Sequence, residues 1–186
     1  MPDLSASTGG PHPLAAADAA TRIAADHDVL LSRTAGLSAA DLAAPYRPEA
    51  GPLGDFCESL HDLVAHVLMW DEINLAALAE AAAGRRHWSL DPRWETREAG
   101  QALNRGGVEA GRQLPGDLLL HRIGTVRDAI LAEFTRHDGP GWAAAPDGGE
   151  SPGTLAQRVW TVPGYDPFWH AAIHLGGPRA AVTTTA

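Results

Sequence analysis

A chain of 186 residues is long enough for one domain with its own core, and its 45% hydrophobic content shows little of the strict alternation that marks strands. The formal charge of −9, with no basic stripe, argues against nucleic acid or an anionic membrane as a partner. All 14 basic residues are Arg, which excludes a Schiff-base or lysine general-base mechanism.

Cys57 is the only cysteine, so no internal disulfide can form and a reducing cytoplasm is the expected compartment. No leader-like segment opens the sequence, and no apolar run reaches the ~18–20 residues needed to cross a bilayer. The expected partners are a small-molecule substrate and, as a candidate, a second copy of the chain.

In chain order, residues 1–10 read as a disordered tail, 11–177 as a single helical domain and 178–186 as a frayed end. The pattern over 14–35 is helical, with Ile23, Leu30 and Leu31 as core positions. Ser38-Ala-Ala-Asp41 resembles a capping box that opens one further turn. Pro45, Pro48, Gly51, Pro52 and Gly54 then make a long connection. A second box, Ser59-Leu-His-Asp62, launches a helix that runs to about Ala83. Its stripe of Leu63, His66, Trp70, Ile73 and Ala77 follows the 3-4 spacing of a buried face. His66 lies inside that stripe, where an unpaired ring costs about 1–3 kcal/mol and therefore needs a partner.

Residues 84–94 read as a loop, and 97–113 as a weak helix interrupted at Gly106-Gly107. Pro115 starts the next helix, with Leu118, Leu119, Ile123, Val126, Ile130, Leu131 and Phe134 as its apolar stripe. A long Gly/Pro loop follows over 138–153, with Trp142 as an anchor, and Thr154 caps a short segment ending at Trp160. Pro163-Gly164 turns the chain into a last helix spanning 165–177, with Asp166 as its cap, Pro167 in its first turn and Gly176-Gly177 at its end. Four principal helices and one long connection predict an all-α four-helix bundle.

The chemistry is expected on that last helix. His170 and His174 are four residues apart, which puts both rings on one face with β-carbons about 6 Å apart. Together with His66 they form a candidate three-histidine metal site, an arrangement that leaves coordination positions open for catalysis. Read alone, His66 is more simply a satisfied core histidine; the pair shifts that balance. Asp62 and Asp166 each stand one turn ahead of a candidate ligand, either to hydrogen-bond its free ring nitrogen or to cap a helix. Trp70, Trp160, Tyr165 and Trp169 are candidates for the substrate pocket, with plain packing as the alternative. Asp71 and Glu72 are the nearest guesses for a general base, and Arg85, Arg86 and Arg105 for a thiol-binding cleft. His12, His27, His61, His87, His121 and His137 read as surface, and Cys57 as a buried thiol.

Asp62-Leu-Val-Ala-His66-Val-Leu-Met-Trp70 resembles the second-helix signature of the DinB/YfiT-like superfamily. The likeness is strongest to the branch with the N-terminal domain of mycothiol-dependent maleylpyruvate isomerase and the colibactin self-resistance proteins. Trp94 and Ala102-Leu-Asn104 resemble that branch's loop and third helix, and His170-Ala-Ala-Ile-His174 resembles the paired histidines of its last helix. The similarity runs from about Leu14 to Leu175. It implies a DinB-like bundle that binds zinc or nickel at one end, with His66, His170 and His174 in the ligand positions. The chain departs from the branch at Phe56 and Cys57, where a Trp is frequent, and at His170, where the isomerase pattern has a carboxylate. Two activities follow from the chemistry of such a metal site. One is thiol-dependent transfer or isomerisation of an electrophile, with a low-molecular-weight thiol such as mycothiol; the other is hydrolytic opening of a strained or activated ring. The rival expectation is a protein that sequesters a hydrophobic small molecule and whose histidines are structural.

Overall fold

A computed structural model of the chain describes residues 14–48, 56–94, 96–137, 140–144, 153–162 and 165–176. The two expected tails, His12, the turn at Pro163-Gly164, the breakers Gly51, Pro52 and Gly54, Gly177 and most of the 138–153 loop lie outside the described residues. Among the described residues the structure is all-α, with no strand.

Seven helices follow one another: α1 (Ala16–Thr34), α2 (Ala39–Ala43), α3 (Leu60–Ala82), α4 (Arg97–Gly111), α5 (Gly116–Phe134), α6 (Leu155–Arg158) and α7 (His170–Leu175). Short 3-10 turns at Trp88–Leu90, Pro92–Trp94 and Thr135–His137 join them. Several starts are written locally. Ser38 and Asp41 close a reciprocal capping box on α2, and the Ser59 hydroxyl accepts from the Asp62 amide at 3.1 Å to start α3. The Asp62 carboxylate reaches back past Ser59 to the Glu58 amide at 2.9 Å. Thr96 caps α4, and the Thr154 amide donates to Gln157 where α6 begins.

The longest helix, α3, is the hub. It packs against α4 and α5 and touches α7, while α1 packs against α5 and α7. Residues 62–68 of α3 are buried all round, as expected of a helix with neighbours on every side. α4 approaches it closely because its facing residues are glycines. A Cβ on Gly111 would meet the Cβ of Ala65 at 2.2 Å, and one on Gly107 would meet Met69 Cγ at 2.7 Å. Gly106-Gly107 therefore does not interrupt α4, which runs unbroken through both: packing on α3 outweighs the ~1 kcal/mol that each glycine takes from helix propensity.

Two apolar clusters fill the interior. One gathers Ile23, Leu78, Ile130, Phe134, Trp142, Trp160 and Phe168; the other gathers Leu30, Leu63, Val64, Val67, Leu119, Ile123 and Leu175. Trp142 is the expected anchor, with its indole N–H donating to the Leu14 carbonyl at 2.6 Å. Two expected core residues fail. Leu31 and Leu118 are 47% and 46% exposed, because the buried stripes of α1 and α5 pass through Ile23, Leu30, Ile123 and Ile130 instead.

The last helix is shorter than expected. α7 has six residues and begins at His170, and the approach to it is not helical. Phe168 has φ +67°, a left-handed backbone that costs an ordinary residue of order 1–3 kcal/mol. Its fully buried ring and its amide bond to the Trp160 carbonyl, at 3.0 Å, hold it there. Gly176, at φ +71°, closes α7 in the left-handed conformation for which glycine is suited.

Candidate metal centre

α3 contributes His66 and α7 contributes His170 and His174, and the fold brings the three rings to one point. His66 Nε2 lies 3.0 Å from His170 Nε2, and the ring centroids are 4.8–5.1 Å apart in all three pairs. One ligand nitrogen from each residue falls within 4.8 Å of the others, so the group can hold a metal ion. The i, i+4 spacing on α7 supplies two of the rings without any contribution from loops.

The site is dry. His66, His170 and His174 are 2%, 5% and 1% exposed. Burial, reinforced by the neighbouring histidines, holds His66 and His170 well below the usual imidazole range. Both rings are therefore neutral at pH 7, with a lone pair free for a ligand bond; a protonated ring would have none. The donor set fits a divalent transition-metal ion, for which neutral imidazole is a common ligand. His66 Nδ1 is buried without a hydrogen-bond partner among the described residues.

Neither acid expected behind the ligands bonds to a histidine of the triad. Asp62 faces Arg112, whose Nε and Nη2 each donate to it at 2.9 Å, and it also accepts from the Glu58 amide. Its carboxylate points to the start of α3, away from His66. Asp166 neither caps α7 nor bonds to His170, because the helix starts only at His170, with Trp169 in the cap position. Asp71 is no free base: it is fully buried and paired with Arg127. Glu72 pairs with Arg122 near the surface at 2.6 Å.

The four expected pocket residues separate. Trp160 is a core residue, packed with Phe134 and Phe168, and its indole N–H donates to Asp71 at 2.9 Å. Trp70 is half-buried and donates to Asn104 at 2.7 Å. Tyr165 is 36% exposed, and Trp169 buries an indole N–H that has no partner among the described residues. An apolar groove of about 310 Å³ lies between Met69 and Ile73 of α3 and Leu103, Gly106 and Gly107 of α4, with Trp94 at its side. It includes none of the three histidines. Among the histidines expected at the surface, His137 is buried, its Nε2 3.1 Å from the Leu78 carbonyl, and His27, His61 and His87 are half-buried.

One arrangement was not anticipated from sequence. Asp26, Asp71 and Arg127 are all fully buried and joined: Arg127 donates through Nη1 to Asp26 at 2.8 Å and through Nε to Asp71 at 2.5 Å. Asp26 also accepts from the amides of Ala171 and Ala172, at 3.1 and 2.7 Å, and so caps α7 from another helix. A signal did exist. Asp26 lies between Ile23 and Leu30, and Arg127 between Ile123 and Ile130, each at core spacing on an apolar stripe, where a charge must find an opposite charge.

No family model, no curated protein and no solved structure matches the chain.

Proposed function

We propose that the chain is a DinB-like four-helix bundle whose His66, His170 and His174 hold a divalent zinc or nickel ion. On this reading it is a metal-dependent enzyme acting on an electrophilic small molecule. The observation that carries it is the meeting of three buried histidines, two of them held neutral by burial, from helices more than 100 residues apart in sequence. Bound there, the ion would supply Lewis acidity and lower the pKa of a water or a thiol, which suits either thiol-dependent transfer or isomerisation or the opening of an activated ring.

The chain's own residues do the rest. The i, i+4 pair on α7 fixes two donors, α3 presents the third, and the surrounding apolar clusters keep bulk water off the rings. Cys57 is not the nucleophile, since burial pushes its thiol up to about 12; a thiol pathway would use an external low-molecular-weight thiol such as mycothiol. The cytoplasm is the compartment that goes with this reading.

A specific observation supports a second reading. No ring of the triad is more than 5% exposed, whereas an apolar groove whose lining includes none of the three histidines opens between α3 and α4. A sequestering protein would use that groove and keep its histidines for structure. Metal content separates the two. Elemental analysis of the purified protein is expected to find about one zinc or nickel ion per chain. At a hundredfold excess over Kd the ion should raise stability by about 2.7 kcal/mol. Protein that carries no metal, and whose melting temperature ignores added zinc and nickel, would leave sequestration as the function.

A further inference from the structure

α7 carries two of the three imidazoles, and although all six of its residues are buried, its own sequence supplies no cap for its first turn. It has six residues, and its N-cap, Trp169, makes no side-chain capping bond. A helix of that length has no stability of its own in water. Its first-turn amides, left over by the helical pattern, must find acceptors from outside. Both Ala171 and Ala172, the two residues after His170, donate to Asp26 of α1, one to each carboxylate oxygen. A bidentate contact of this kind fixes the direction of the helix as well as its position.

Asp26 is itself fixed from behind. Arg127 of α5 binds it through Nη1 and reaches through Nε to Asp71 of α3. Burial opposes the Arg127 charge, and the two carboxylates keep it in place. Asp71 stands five residues beyond His66 on the same helix. The cluster thus runs from the helix of His66, through α5 and α1, to the amides flanking His170. All three of its side chains are fully buried, so water does not screen the connection.

We propose that Asp26 is a positioning residue for the histidine centre: seated on Arg127, it sets the spacing between His66 on α3 and the His170/His174 pair on α7. Its relevance to metal rests on the zinc or nickel reading above, while the positioning itself is a property of the metal-free protein.

The test uses the full chain and compares Asp26→Asn with Leu155→Ala. The amide keeps the shape of Asp26 but turns one acceptor into a donor facing Arg127 or the α7 amides. Leu155 is buried in the other part of the core, and its truncation lowers the melting temperature without touching α7. Two readouts are taken: the imidazole nitrogen resonances of metal-free protein, and zinc affinity by competition with a chelating indicator. Asp26→Asn should move the His66 and His170 resonances and weaken zinc about tenfold, the low end of what a direct outer partner of a metal ligand contributes, since Asp26 holds the helix rather than a ring. Leu155→Ala should do neither. If Asp26→Asn only lowers the melting temperature, with resonances and affinity as in wild type, the positioning role is overturned.

Should wild-type protein take up no zinc, the metal reading fails and the resonances decide alone: shifted rings sustain the positioning role and unshifted rings end it. If Asp26→Asn does not fold, Asp26→Glu replaces it. That variant keeps the charge but pushes α7 out by one methylene. Moved resonances and weakened zinc again sustain the role, and wild-type values for both again overturn it.

Discussion

α3 and α7 each bring imidazole to the same point, but on different terms. α3 has 23 residues, starts on the Ser59 hydroxyl, and is buried against helices on either side. It would lie where it does with or without a histidine at position 66. α7 has six residues and depends on a carboxylate from α1 for the acceptors of its first turn. One helix owns its geometry and the other borrows it. Rings contributed by a borrowed helix therefore depend on the buried charges beneath it as well as on its packing.

The sharpest way to break this contrast is Arg127→Ala. It strips two fully buried carboxylates of their shared partner, a class of change that costs about 3–5 kcal/mol. Urea denaturation should show that loss. Hydrogen exchange should show the α7 amides opening well before those in the middle of α3; equal deprotection of both helices would mean that α7 stands on its own packing. A smaller effect is expected from Gly111→Ala, which tests how α3 itself is seated. The new methyl group would have to displace Ala65, so α4 should move away from α3 at a cost of about 1–3 kcal/mol. α7 exchange should stay near wild type, because Asp26 and Arg127 lie on other helices.

The smallest effect concerns the start of α3. Burial pushes the Asp62 carboxyl up, but hydrogen bonds from Arg112 and from the Glu58 amide outweigh it and leave it below the ordinary carboxylate range. A lowered folded-state pKa contributes stability above the unfolded value of 3.8 and loses it as pH falls through the folded value. Asp62→Asn should therefore cost about 1 kcal/mol near neutrality and progressively less once the pH drops below about 4. A cost independent of pH would show that the charge on Asp62 does not matter.

The same division explains what could be read from the sequence. The helix of His66 was legible almost to the residue, because its cap, its apolar stripe and its length are all local. The meeting of His66, His170 and His174 was legible from spacing on two helices. The support of α7 was not. Asp166 and Pro167 have the right chemistry for a helix start, yet the chain does not use them so, because Phe168 turns into the core with a left-handed backbone and delays the helix to His170. The true cap, Asp26, is 145 residues from Ala171, and no local pattern connects the two. Trp160 reads from sequence as a pocket candidate but is instead core, since a ring this large gains more from full burial than from a place at a rim.

That 145-residue separation also bears on how the chain comes together. Joining ends so far apart costs an open chain about 4 kcal/mol in loop entropy, about what two hydrogen bonds to a carboxylate return, so the contact alone leaves no surplus to hold the chain closed. The cost falls only when α1, α3 and α5 have already drawn the ends close. A six-residue helix cannot nucleate by itself in the meantime. The expected order is then scaffold first and histidine centre last, so that an ion arriving early would find a chain with three scattered imidazoles and no site.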